Sequence, residues 1–173
     1  LKALGKLSQR GDQCTIALLS RGLEDEDSIV RLVAGDTFAS IAGKGDKYAV
    51  AELGARLVHH HPDVRRCVLA LFAEFACTDD PPAIAAVSAC LEDDNFLVRV
   101  SAVQALAKVV TKADKKVIAA VSARLEHENI EIREETIDAL VLIAGKGDQN
   151  AIAAACARLE HEDEDVRDTA ILA

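Results

Sequence analysis

His127 stands between Glu126 and Glu128, and thirty-four residues later His161 stands between Glu160 and Glu162, inside the near copies "RLEHENIEIRE" and "RLEHEDEDVRD". An imidazole flanked by carboxylates is chemically a candidate metal ligand or acid/base group. The metal reading fails on spacing. A zinc-binding helix needs a second His four residues after the first, and Glu131 and Asp165 hold those positions. Two His one repeat apart on packed helices would be about 8–10 Å apart, too far to share one ion without loop rearrangement. His59, His60 and His61 form a second cluster, read as turn residues rather than as a metal site. Ser20, Ser88 and Ser122 recur in one column with no His or Asp beside them to act as base, so they are read as small packing residues, not nucleophiles. "GKGD" at residues 145–148 lacks the length and the Lys-Ser/Thr ending of a phosphate cradle. No catalytic residue, metal or cofactor is therefore assigned.

The composition points the same way. Half of the 173 residues are hydrophobic, mainly Ala, Leu, Val and Ile, while aromatics make up only 3%, which favours many small helix contacts over one aromatic core. A net charge of −9, with no basic stripe, disfavours nucleic acid and anionic membranes as partners. Cys14, Cys67, Cys77, Cys90 and Cys156 are odd in number and form no C-x-x-C pair, which predicts free thiols and an intracellular, reducing compartment. No apolar run is long enough to span a membrane. The opening on Leu1 and the stop at Ala173 in mid-pattern predict a fragment of a longer chain.

What positions these residues is an internal repeat. Asp12, Asp46, Asp80, Asp114 and Asp148 follow one another at a constant step of thirty-four, as do Arg31, Arg65, Arg99, Arg133 and Arg167, and Leu23, Leu57, Leu91, Leu125 and Leu159. The units are 13–46, 47–80, 81–114 and 115–148, with a partial unit 149–173 and a remnant helix in 1–12. Ile118, Val121, Ser122 and Leu125 share one face of a first helix. Ile132, Thr136, Ile137, Leu140, Ile143 and Ala144 share one face of a second. "EHEN" is then the corner between them, Gly145 or Gly147 suits a left-handed helix end, and each Asp of the first column is the N-cap of a first helix. Each helix pair has an apolar stripe it cannot bury alone, so successive pairs must stack into a solenoid.

The second-helix stretches "DVRRCVLALFAEFA" from Asp63, "LVRVSAVQALAKVV" from Leu97 and "EIREETIDALVLIA" from Glu131 resemble HEAT repeats, in particular the short type found in phycobilisome lyases. The resemblance covers essentially the whole chain and implies an all-α, right-handed α-solenoid, armadillo-like in architecture. The Trp, Gly and Tyr landmarks of tetratricopeptide repeats and the "TPLH" turn of ankyrin repeats are absent. By resemblance the Arg column forms a structural ladder between neighbouring units, and the second helices line a concave face. The expected partner-binding stripe there is Leu32, Arg66, Val100, Gln104, Glu134, Asp138 and Val141. The corner column Asp25, His59, Asp93, His127 and His161 forms an acidic edge, and Lys44, Lys47, Lys112, Lys115, Lys116 and Lys146 a basic one. The expected role is a non-enzymatic scaffold for a protein partner, within a larger complex. The alternatives carried by resemblance are a bilin lyase or chaperone and, disfavoured by charge and the lack of Trp, an alkylpurine DNA glycosylase.

Overall fold

In the computed structural model, which describes residues 1–111 and 115–172, every unit opens with a short helix and returns along a longer one. The first helices are α2 (Gln13–Gly22), α4 (Lys47–Gly54), α6 (Pro81–Ala89), α8 (Lys115–Ser122) and α10 (Gln149–Cys156). The second helices are α3 (Ser28–Ile41), α5 (Pro62–Phe75), α7 (Phe96–Val109), α9 (Ile130–Ala144) and α11 (Glu164–Leu172), and a short α1 (Lys2–Leu7) precedes them. The substantial helix contacts run within a unit or to the next one, α2 on α4, α5 on α7, α7 on α9 and α8 on α10. That is the one-dimensional packing of an α-solenoid.

Local chemistry sets the helix starts. The Asp46 carboxylate accepts from the N–H groups of Tyr48 and Ala49 at 2.9 and 3.1 Å, and Asp148 from Asn150 and Ala151 at 2.8 and 2.9 Å. Asp12 accepts from Thr15 at 3.0 Å. Asp80 is the N-cap of α6 but makes no side-chain cap bond, because Pro81 and Pro82 fill the first helical positions and Pro82 has no N–H to give. Asp114 lies outside the described residues.

Where one unit passes to the next, a residue with positive φ reverses the chain: Gly11 at 81°, Gly45 at 78°, Asp79 at 59° and Gly147 at 90°. Asp79 takes the place that Gly holds in its sister corners, and its carboxylate compensates by accepting from the Thr111 N–H at 2.9 Å and from the Thr111 hydroxyl. These reversed residues also stitch unit to unit. Gly11 N–H donates to Ile41 C=O at 2.9 Å, Gly45 to Phe75 at 2.7 Å and Asp79 to Val109 at 2.8 Å, each across to the end of the following second helix.

The core is the sum of the apolar columns. Leu23, Leu57, Leu91 and Leu125 are buried, and Phe38 meets Phe75 of the next unit edge-on with centroids 5.6 Å apart. The column expectation fails in the fifth unit, where Leu159 is 42% exposed and Ile152 46%. Their counterparts, including the wholly buried Ile16 and Leu23 of the first unit, have a following unit packed against them, and α10 has none among the described residues.

Candidate protein-interaction surface

The Arg column stands at the second-helix start and has one geometry throughout. Arg31 Nη1 donates to the carbonyls of Asp25 and Glu26, Arg65 to those of His59 and His60, Arg99 to those of Asp93 and Asp94, Arg133 to those of His127 and Glu128, and Arg167 to those of His161 and Glu162. One guanidinium edge thus closes the corner of its own unit. The other edge reaches the next unit: Arg65 grips Asp93 with two bonds of 2.6 Å, and Arg99 bonds Glu135 at 2.7 Å and Glu131 at 2.8 Å. Arg133 instead donates to the Thr169 hydroxyl at 2.9 Å, and Arg31 lies 3.7 Å from Asp63. Arg99 is almost wholly buried, and its bonds to Glu135 first, then Glu131, outweigh burial and raise its pKa further.

The corner His residues answer the question of chemistry. His127 Nδ1 accepts from the Asn129 N–H at 3.0 Å, His161 Nδ1 from Asp163 at 3.1 Å and His59 Nδ1 from His61 at 3.1 Å. Asp25 and Asp93 make the same bond with a carboxylate oxygen to Asp27 and Asn95. The column is therefore an acceptor that closes a turn on the residue two positions ahead. The three rings are half-buried rather than free in solvent, because they turn inward to make that bond. Among the described residues no group of three or more His, Cys, Asp or Glu is placed to hold a metal ion.

Sequence reasoning passed over the next corner position, which caps every second helix. Asp27 accepts from Ile29, His61 from Asp63, Asn95 from Leu97 and Val98, Asn129 from Glu131 and Asp163 from Asp165. The signal was present, since Asp and Asn two residues after the corner column are preferred N-caps. Sequence reasoning also passed over a second ladder along the first helices. Arg56 pairs with Glu24 at 2.8 Å, Arg124 with Glu92 at 3.0 Å and Arg158 with Glu126 at 3.0 Å. At the one junction without it both members change together, Val58 standing for the Glu and the buried Cys90 for the Arg. Glu92 and Glu126 thus serve the ladder rather than a free acidic edge.

The Ser column splits by environment. Ser20 donates to Glu52 at 2.8 Å and Ser122 to the Ala119 carbonyl at 3.3 Å, while the buried Ser88 hydroxyl has no partner. Burial pushes the Glu52 pKa up, but the Ser20 hydroxyl and the Arg56 guanidinium outweigh it and hold the group below its ordinary value. All five cysteines are free, and burial pushes the Cys90 thiol up to about 11.

The proposed stripe on the second helices is mostly open. Leu32 is 62% exposed and Val141 57%, Gln104, Glu134 and Asp138 are exposed, and Arg66 is half-buried beside Asp63 at 3.4 Å. Val100 is half-buried instead. Beside it Phe96 and Leu97 are exposed, and the Arg99 guanidinium carbon sits 5.7 Å from the Phe96 ring centroid. Lys44, Lys47, Lys115, Lys116 and Lys146 are all exposed at the opposite edge, and Lys112 lies outside the described residues.

The family model for HEAT repeats matches residues 17–107 and again 84–173. Among solved structures the chain is similar to a designed armadillo repeat protein, at 17% identity and a TM-score of 0.48, over 90% of this chain and 79% of that one. It is similar also to an engineered protein, at 18% identity and a TM-score of 0.47, over 90% of this chain and 76% of the other. No curated protein sequence matches it. With helix pairs stacked at one step, an Arg at every second-helix start and a family match along nearly its whole length, the chain belongs to the HEAT-repeat family.

Proposed function

We propose that the chain is a non-enzymatic scaffold, working in a reducing compartment, that holds another protein against the open stripe of its second helices. Repeats of this family generally mediate protein–protein contact. The observation that carries the reading is that, among the large apolar side chains left uncovered by packing, Leu32, Phe96, Leu97, Val141 and Leu142 lie together along the second helices. They lie among Arg66, Gln104, Glu134 and Asp138, the apolar centre and polar surround of many protein interfaces. With a net charge of −9, basic protein surfaces are favoured over nucleic acid.

The test is partner capture by Leu32→Asp and Leu97→Asp variants. Both side chains are already exposed, so thermal stability should stay within roughly ±0.5 kcal/mol while capture falls. Val100→Asp is the contrasting case, expected to cost stability because the side chain is half-buried. Folded Leu32 and Leu97 variants that capture the partner undiminished would remove the stripe from the interface.

A further inference from the structure

Well inside the stack, the first helices carry a groove of their own. About 490 Å³ in volume, it runs between α4 and α6 over Phe72 of α5, with Val50, Ala51, Gly54, Ala83 and Ala86 along its walls. The repeat explains why this seam is open while the one before it is shut. Between α2 and α4 stand Tyr48, half-buried, Glu52, which receives the Ser20 hydroxyl at 2.8 Å, and Arg56, which bonds Glu52 at 2.9 Å and Glu24 at 2.8 Å. Thirty-four residues on, the places of Tyr48, Glu52 and Arg56 are held by Pro82, Ala86 and Cys90, that of Ser20 by Gly54 and that of Glu24 by Val58. Each replacement is smaller than its counterpart, and all of the hydrogen-bonding groups that close the earlier seam are gone save a thiol. At Gly54 a Cβ would stand 3.7 Å from the Phe72 ring, so its absence deepens the groove. The seam after it is closed again, by Arg124 on Glu92 at 3.0 Å.

Only an apolar body suits these walls. The backbone polar groups of α4 and α6 are spent within their helices. Among the described lining residues the polar side chains are Lys47, Asp80 and Cys77, all at the end where the two helices begin. The volume is that of a small-molecule site, which runs from about 300 to 1,000 Å³. The slot follows α4 for about 10 Å at a rise of about 1.5 Å per residue. An extended alkyl chain of roughly eight carbons, with C–C bonds near 1.5 Å, has that length. Charge at the polar end chooses the head group. Lys44 and Lys47 are exposed there and form no ion pair among the described residues. Of the nearby acids, Asp46 caps α4 and Asp79 is held by Thr111, which leaves Asp80 alone against two ammonium groups.

We propose that the groove between α4 and α6 binds one alkyl carboxylate, with the head beside Lys47 and the chain lying over Phe72 between the two helices. The site is built on first helices and the open stripe on second ones, so neither depends on the other. The exposed Cys77 thiol lines the same groove and reports on whether it is filled.

The experiment titrates the 173-residue chain calorimetrically with hexanoate, octanoate and decanoate, each below the concentration at which it forms micelles. One molecule should bind per chain. Affinity should rise up to roughly tenfold from hexanoate to octanoate, the worth of two buried methylenes, and less from octanoate to decanoate as the slot is outgrown. Saturating octanoate should slow the labelling of Cys77 by iodoacetamide and leave the equally exposed Cys14 unchanged. Ala86→Leu, which fills the groove with an apolar side chain, should abolish both effects. Lys47→Glu, at an exposed position, should weaken octanoate by roughly fivefold with circular dichroism unaltered. Leu97→Asp, on the open stripe, should bind octanoate as the wild type does. Absence of saturable binding by any of the three chains would overturn the proposal. Undiminished binding in folded Ala86→Leu, or binding that leaves Cys77 unprotected, would place the chain elsewhere and overturn it equally. Octylammonium binding as tightly as octanoate would overturn the choice of a carboxylate head.

Discussion

A single guanidinium in this protein joins three things: its helix start, the corner before it and the unit after it. Arg133→Ala removes two bonds to corner carbonyls and one to Thr169, and should cost on the order of 1–3 kcal/mol because those acceptors are left unpaired. Arg99→Ala should cost at least as much, since it strands Glu135 against a buried position. Urea unfolding of both variants reads the difference. His127 and His161 serve as turn acceptors, so replacing both by Asn, whose side-chain oxygen accepts the same N–H, should leave stability almost unchanged. Ala at both should lower it by about 1 kcal/mol in the same urea experiment, having no acceptor at all. At the one junction without the outer ion pair, Cys90 should resist alkylation at mildly alkaline pH while the exposed Cys14, Cys77 and Cys156 react, as mass spectrometry of the labelled chain would show.

At the level of elements, the first helices depend on caps of unequal worth. Asp46→Ala removes two cap bonds and should cost about 1 kcal/mol, whereas Asp80→Ala should be nearly neutral because α6 is already started by Pro81 and Pro82. Thermal melts of the two variants should separate them clearly. Between α2 and α4, Glu52 joins Ser20 to Arg56, and its folded pKa is depressed. A carboxylate held below its unfolded value stabilises fully above that unfolded value, and the contribution is lost as pH falls through the folded one. Glu52→Gln should therefore flatten the acid side of the stability curve, while leaving its alkaline side unchanged in slope.

For the whole molecule, stability is a sum of units and junctions. Deleting residues 81–114 in register brings Arg65 to face Glu131 and Glu135, the carboxylates that Arg99 meets in the intact chain, at the loss of the Glu92 partner of Arg124. The shortened chain should fold and melt cooperatively by circular dichroism. Deleting only 81–95 should not give a folded array, because α7 would lose its first helix and the cap at Asn95.

Much of this was legible in the sequence because it is written locally. The step of thirty-four, the apolar columns, the Asp caps and the Gly corners all follow from contacts within a turn or within one helix pair, where residue type and spacing suffice. Asp79 is the local exception, an acid in a left-handed corner that only the carboxylate bond to Thr111 explains. What the tertiary structure decided is whatever depends on a neighbour. Arg65 and Arg133 are alike in sequence, yet one grips a carboxylate and the other a hydroxyl, because the next unit supplies Asp93 in one case and Thr169 in the other. Val100 sits lower in the stripe than its pattern implied, and the outer ladder of Arg56, Arg124 and Arg158 emerged only when first helices lay side by side. Leu125 and Leu159 hold the same place in the repeat, and one is buried while the other is not, since burial belongs to the stack and not to the residue.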